Sequence, residues 1–238
     1  MLVLLLLGLP AAAEAQGIGL SLPDDSGLAE RTVQLIVLVT VLSLAPGIAI
    51  MVTCFPFIVT VLSILRQAIG LQQSPPNMLI VSLALFLTYF VMEPIFAEAW
   101  INGIEPLING AMGIEQAFAA TMRPLSTFML SRIDPDTFGH LIALRPELDP
   151  LVPPEQAPLS VIVPSFMLSE MERAFQVGFL IFMPFLIIDL VVAAVLMSMG
   201  MMMVPPAVVS LPFKLAFFVV ADGWALVSRS LVEGYVPF

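Results

Sequence analysis

Two opposite charges in a long apolar stretch are the residues with the clearest potential for chemistry. Asp189 is the one charged residue between positions 174 and 213, and Lys214 follows directly. If the chain folds back near positions 201–202, each charge lies about 12–13 residues from that tip, or roughly 18 Å along a helix. A lone charge in hydrocarbon is costly, so we expect an intramembrane ion pair. The alternative is that both ions face a wet interior or another subunit.

The second feature is a run of methionines between those two charges. Five methionines crowd seven positions: Met197, Met199, Met201, Met202 and Met203. Three consecutive side chains around a loop point in different directions, so one helix face cannot bury them all. Repeated around a ring of identical subunits, such flexible thioethers would form a soft apolar constriction that resists ions by dewetting. The alternative is a hydrophobic loop packed against lipid or a neighbour.

Other side chains offer little chemistry. The single histidine, His140, and the single cysteine, Cys54, argue against zinc sites, Ser-His catalysis and internal disulfides. We find no paired carboxylates with a plausible cleft, no nucleophile elbow, no phosphate loop and no metal-ligand spacing. The sequence therefore predicts a protein that is not an enzyme and needs no cofactor, and an intramembrane enzyme is the least favoured alternative.

Composition indicates which environment must hold these residues. Of 238 residues, 60% are hydrophobic and only 11% are charged, whereas an ordinary soluble domain carries about 25% charged residues. One compact soluble domain of this length could not hide so much apolar surface from water. The net charge of −10 argues against nucleic acid as a partner, since that needs a basic surface. These numbers predict a membrane protein.

Long charge-free stretches predict where the chain crosses the membrane. We place four spans near residues 33–54, 78–97, 175–197 and 207–227. Pro46 and Pro56 are expected to divide the first charge-free run, so that residues 55–65 form a separate helical piece. Pro184 and Pro212 fall inside the third and fourth spans, where proline interrupts the helical hydrogen bonds and is expected to kink the helix.

The sequence predicts an all-α membrane protein of two helical hairpins with proline-kinked spans and a periplasmic, partly helical insert. Ala13-Glu14-Ala15 fits a secretory cleavage site after a short apolar stretch. The predicted organisation is a cleaved signal peptide at 1–15, a periplasmic lead-in at 16–32, a first membrane helical hairpin at 33–97, the periplasmic insert at 98–173, and a second membrane helical hairpin with a Met-rich tip at 174–238. The insert is expected to be helical in its first half and, because of its many prolines, extended in its second. We expect it to mediate ring assembly.

Several segments of the chain resemble one family. These are residues 164–179 (PSFMLSEMERAFQVGF), 184–206 (PFLIIDLVVAAVLMSMGMMMVPP), 212–224 (PFKLAFFVVADGW) and 82–94 (SLALFLTYFVMEP). They are similar to the signatures of the flagellar biosynthetic protein FliP family, a membrane component of the bacterial type III export gate. The resemblance covers residues 33–224, and the signal peptide and long insert look like the flagellar branch of the family.

The resemblance implies a pore-forming core subunit for protein export and flagellum assembly. It implies a pentamer that assembles with FliQ and FliR, passes unfolded export substrates, and resides in the bacterial inner membrane as a multi-pass part of the flagellum basal body. Met201, Met202 and Met203 match the family's pore gasket. Five residues of the signature segments are candidates for subunit contacts: Glu170, Arg173, Phe175, Asp222 and Trp224. The alternatives are an injectisome export-gate subunit, or a small-solute or ion transporter that uses Asp189 and Lys214.

Overall fold

The computed structural model describes residues 25–71, 75–149, 152–201 and 203–235, and within these ranges it contains helices and no strand. The helices are α1 Asp25–Met51, α2 Phe55–Ile69, α3 Asn77–Ala99, α4 Glu105–Ile108, α5 Ile114–Leu130, α6 Pro135–Ala143, α7 Leu159–Ser198, α8 Pro206–Val220 and α9 Gly223–Glu233. A π-helical turn, Trp100–Ile104, joins α3 to α4, and a 3-10 turn covers Pro154–Gln156. The predicted signal peptide lies outside the described residues.

The chain divides into a unit at residues 1–45 and a unit at residues 46–238. In the first unit, the described residues belong to α1, and the side chains described there are exposed, with valine and leucine prominent among them. The helix itself continues through Pro46 to Met51. The expected division at Pro46 is therefore wrong, and the chain instead leaves the helix at residues 52–54.

In the second unit, α2 provides the centre of the core. Pro56 occupies its first turn, where the missing amide hydrogen has no cost. Gly70 ends it in the left-handed conformation (φ 90°), with its N–H donating to the Gln67 carbonyl at 3.0 Å. Helix α2 packs most extensively against α7. At Gly178 of α7 an added Cβ would lie 2.4 Å from Ile64 Cδ1, so the absence of a side chain allows this close approach.

The α3–α5 region packs through a second close contact. An added Cβ at Gly103, in the π-helical turn, would lie 2.1 Å from Thr121 Oγ1 and 2.7 Å from the Thr121 backbone nitrogen. Helix α6 is capped by Asp134, the residue before its first turn, whose carboxylate accepts a hydrogen bond from the Thr137 N–H at 2.9 Å. This hydrogen bond, more than any other cause, holds the pKa of Asp134 below its usual range.

Helix α7 is the longest element. Its 40 residues run from Leu159 to Ser198 and continue through Pro164 and Pro184, a length of about 60 Å. The extended conformation expected for the second half of the insert is therefore wrong for residues 159–173, because side chains such as Val161, Ile162 and Phe166 pack into a core with α5 and α6. The predicted boundary between insert and second hairpin falls inside this helix.

The last helices are separated by a bend. Helix α8 continues through Pro212 to Val220, and α9 begins at Gly223 with an axis bent by 61°. The span expected at 207–227 is therefore broken, and the break follows Val220 rather than falling at Pro212. By length and composition, three segments of the described chain can cross a membrane, Arg31–Met51, Asn77–Ile108 and Leu159–Ser198, and the bent pair α8–α9 is a fourth candidate.

Candidate functional site

The methionine-rich turn between α7 and α8 has a defined backbone. The Gly200 N–H donates to the Met197 carbonyl at 3.0 Å, and the Met201 N–H donates to the Leu196 carbonyl at 3.0 Å. Gly200 is left-handed (φ 76°), so these two hydrogen bonds form a Schellman motif that ends α7. Pro205 then precedes the first turn of α8. The turn is thus fixed at both ends by local backbone chemistry.

The methionines of this turn face outward from the chain. Met201 is 44% exposed and Met203 is 97% exposed, while Met197 and Met199 are also exposed. Met202 lies outside the described residues. Beside the turn, an apolar groove of about 550 Å³ lies between α7 and α8 and extends to Met199. The turn therefore presents thioethers that no other part of the described chain covers.

The structure brings Asp189 and Lys214 together. Lys214 Nζ lies 2.6 Å from Asp189 Oδ2 and also donates to the Ala68 carbonyl at 3.1 Å. Ser210 donates to Asp189 Oδ1 at 2.5 Å. The Lys214 side chain is buried, whereas that of Asp189 is partly exposed. The ammonium group thus joins α8 to α7 and to the carboxyl end of α2, where a positive charge complements the helix dipole.

Sequence reasoning missed two members of this site. Ser210 stands four residues before Lys214 and so on the same face of α8, a spacing that could have suggested it. The Ala68 carbonyl carries no sequence signal, because its availability depends on where α2 ends. The only local indication is Gly70, which marks that end.

A second buried charge, Glu170, lies in α7 and is fully buried. Its Oε1 atom lies 3.1 Å from Arg132 Nε and 3.1 Å from Arg173 Nη1. Its Oε2 atom accepts a hydrogen bond from the Tyr235 hydroxyl. The Glu170 carboxylate therefore binds its partners inside the same chain. The other four candidates for subunit contacts are Arg173, Phe175, Asp222 and Trp224.

Tyr235 closes this cluster from the C-terminal side. Its ring packs edge-on against Phe57 and stacks on Phe128, with the Arg132 guanidinium 4.2 Å from its centroid. Arg132 also donates to the Gly234 carbonyl at 2.9 Å. Burial, reinforced by the negative charge of Glu170, raises the pKa of the Tyr235 phenol far above its usual range. The segment after α9 is thereby tied to α2, α5 and α7.

The remaining candidates for subunit contacts are accessible to different degrees. Phe175 and Trp224 are exposed aromatic side chains, and Arg173 is partly exposed beside Glu170. Asp222 is exposed and is the one residue other than glycine with a positive φ (49°) among the described residues. It stands at the bend between α8 and α9, and Trp224 packs edge-on against Phe218 there. The structure does not bring these four into one cluster.

Comparison with known proteins gives one consistent result. A family model described as the FliP family matches residues 38–231. A flagellar biosynthetic protein FliP of Caulobacter vibrioides is 55% identical over 228 residues, covering 95% of this chain and 85% of that protein. Proteins of the same name from Rhizobium meliloti and Bacillus subtilis are each 45% identical, covering 91% and 89% of this chain and 89% and 96% of their own lengths.

Proposed function

The chain belongs to the FliP family, and from this membership we propose that it is a pore-forming core subunit of the flagellar type III protein export gate. It is needed for the export of flagellar proteins and for flagellum assembly. Relatives named flagellar biosynthetic protein FliP support the flagellar role. The observation that carries the pore role is the turn at Met201 and Met203, whose thioethers are exposed on a fixed backbone.

In the proposed assembly, several copies surround one axis and bring their methionine turns together. Met201, Met202 and Met203 then form a flexible apolar ring that excludes ions when no substrate is present. Because thioether side chains are unbranched and adaptable, the ring deforms around an unfolded chain during export. The assembly we propose is a pentamer with FliQ and FliR in the bacterial inner membrane, within the flagellum basal body.

We propose that the Asp189–Lys214 pair holds the methionine turn at a fixed depth. The pair fixes the register between α7 and α8, and the Lys214 contact with the Ala68 carbonyl fixes both helices relative to α2. Arg173, Phe175, Asp222 and Trp224 are the proposed subunit contacts. Exposed aromatic side chains commonly contribute much of the energy of such interfaces.

Replacement of Met201, Met202 and Met203 by alanine tests the pore role. Alanine shortens the apolar side chains, so we expect the resting gate to leak ions while protein export is retained or altered. The measurement is ion flux across membranes of cells that produce the complete gate, together with motility. Met78→Ala is the matched control, because Met78 is an exposed methionine in α3 that lies far along the chain from the turn.

The same experiment separates the alternatives. A small-solute transporter that uses Asp189 and Lys214 predicts lost solute uptake and no ion leak after the alanine replacements. An injectisome subunit predicts that the chain fails to restore motility in cells lacking their own flagellar gate subunit. Restored motility together with a leak in the alanine variant supports the proposed function, and a sealed alanine variant contradicts it.

A further inference from the structure

The methionine turn combines two properties that matter for redox chemistry. Its sulfur-bearing side chains are accessible in the single chain, with Met203 97% exposed. Its backbone is held as far as Met201 by the Schellman hydrogen bonds of Gly200 and Met201, so Met201 cannot fold inward without losing those bonds. Exposure is what makes a methionine susceptible to oxidation.

We propose that Met201 and Met203 form an oxidant-sensitive modification site, at which hydrogen peroxide converts the thioethers to sulfoxides and opens the resting gate to ions. The inference rests on the proposed function, because it assigns a form of regulation to the same turn. It requires no residue besides those of the turn, and the oxidant is an ordinary by-product of aerobic metabolism.

The chemistry is a two-electron transfer. A sulfur lone pair attacks one oxygen of hydrogen peroxide, a sulfur–oxygen bond forms and the oxygen–oxygen bond breaks. The departing hydroxide takes up the proton from the transferred oxygen and leaves as water. Sulfur is oxidised by two electrons and peroxide is reduced. The product carries a strong hydrogen-bond acceptor in place of an apolar group, and methionine sulfoxide reductases reverse the change.

The consequence for the gate follows from polarity. An apolar ring excludes ions because water is unstable in a narrow hydrophobic passage. Sulfoxide oxygens bind water, so a ring of oxidised methionines becomes wet and conducts ions. The volume of each side chain changes little, because oxidation adds only one oxygen atom to it. The effect is therefore distinct from that of alanine, which widens the ring without making it polar.

Other methionines of the chain provide internal comparisons. Met92 and Met129 are fully buried and should resist oxidation, whereas Met78 is 78% exposed in α3. Met78 should therefore be oxidised without opening the gate. This comparison separates the accessibility of a methionine from its role in sealing the gate, because only oxidation at the turn is expected to change ion flux.

The test uses membrane vesicles from cells that produce the complete gate, treated with hydrogen peroxide. We expect the peptide containing Met201 and Met203 to gain about 16 Da per oxidised methionine and ion flux to rise several-fold. Leucine at positions 201, 202 and 203 keeps apolar volume but removes sulfur, so this variant should show no rise. Met78→Leu should respond like the unmodified protein, and treatment with both sulfoxide reductases should restore the original flux.

Each result decides between the possibilities. Oxidation of the turn without a change in flux overturns the inference, as does the absence of sulfoxide at Met201 and Met203 or an equal rise in the leucine variant. Failure of the proposed function is recognised separately, from the ion flux of the alanine variant in vesicles that have not been treated with peroxide. If the alanine variant leaks but oxidised wild-type vesicles stay sealed, the oxidation proposal alone fails. If the alanine variant does not leak, the seal itself is overturned.

Discussion

At the scale of single residues, the two buried charges in the described part of the chain differ in how they are compensated. Glu170 meets two guanidinium groups and a phenol, and its carboxylate is fully buried. Lys214 meets one carboxylate and one backbone carbonyl. A buried charge that loses its partner is strongly destabilising, whereas an intact pair adds little net stability. Both groups should therefore tolerate removal of a partner poorly.

Lys214→Asp should lower the free energy of unfolding by about 3–5 kcal/mol, because it leaves two carboxylates facing each other. The double change Asp189→Lys with Lys214→Asp should restore part of the loss. Restoration is incomplete because the Ala68 carbonyl, which accepts a hydrogen bond from Lys214, would then face a carboxylate. Denaturant unfolding of the detergent-solubilised protein measures both effects. No recovery in the double variant would contradict a role for the direct charge pair.

The Tyr235 phenol predicts a pH dependence. Its pKa is raised in the folded chain, so the folded state keeps a proton that the unfolded state releases above pH of about 10. The stability it contributes is fully present below that pH and is lost as the pH rises further. In a Tyr89→Phe background, which leaves Tyr235 as the one tyrosine, tyrosinate absorbance should appear only together with loss of helical circular dichroism. Tyrosinate formation in a fully helical protein would contradict this prediction.

Tyr235→Phe should cost about 1–3 kcal/mol, since it removes one donor from a buried carboxylate. Its ring packing against Phe57 and Phe128 is retained, so the loss reports the hydroxyl alone. Tyr89→Phe is the matched control, because Tyr89 is exposed. Denaturant midpoints of the two variants give the comparison, and equal values would show that the Tyr235 hydroxyl contributes nothing.

The sequence could predict one of these charge sites but not the other. Asp189 and Lys214 stand out because apolar residues surround both and a fold-back signal lies midway between them. Glu170 is paired with Arg132, which is 38 positions away, and with Tyr235, which is 65 positions away. No periodicity relates such distant positions. These contacts depend on how α5, α7 and the segment after α9 pack, which is decided by the tertiary structure.

At the scale of elements, the π-helical turn depends on a residue without a side chain. Gly103→Ala would place a Cβ against the backbone of Thr121, which cannot move as a flexible side chain can. Overpacking of this kind should destabilise the protein by about 1–3 kcal/mol. Gly139→Ala is the matched control, since a Cβ there meets nothing within 4 Å, and it should be neutral or slightly stabilising. Thermal unfolding of the two variants compares the sites, and equal melting temperatures would contradict the prediction.

Apolar runs and turn residues predict which segments are helical, but they do not predict how long each helix is. Gly70 and Gly200 both occupy left-handed positions at the ends of helices, as their place between apolar runs suggests. The prolines near residue 160 predict an extended segment. The structure instead begins α7 at Leu159, because the first turns of this helix are buried against α5 and α6. The Asp222-Gly223 pair predicts a helix-terminal turn, and the bend between α8 and α9 occurs there, where Asp222 adopts a positive φ. The apolar pattern of residues 207–227 does not predict the angle of 61°.

At the scale of the whole molecule, residues 105–150 contribute to the chain's own core. They supply Met129, Phe138 and Ile142 to one buried cluster, and Arg132 to the carboxylate of Glu170. Deletion of this segment should therefore prevent folding of the chain itself. A loss of oligomers in such a deletion would reveal little about subunit contacts, and a single exposed residue of the insert is a better probe.

Phe118→Ser is the variant we choose to examine assembly through the insert. Phe118 is an exposed aromatic side chain on α5, so its replacement should leave the helical content and melting temperature unchanged. If the insert mediates ring assembly, the variant should yield fewer oligomers on size-exclusion chromatography. Arg123→Ser, on the same helix, is the comparison for a general effect of a polar replacement. An unchanged oligomer population would show that this face of the insert makes no essential contact.

The position of Cys54 makes the protein well suited to spectroscopic study. It is the one cysteine in the sequence, and its side chain is fully buried. A thiol introduced at an exposed position such as 203 would therefore react with a nitroxide reagent without competition from a native thiol. Distances between nitroxides on neighbouring copies would then report the width of a central passage, with no native side chain removed elsewhere.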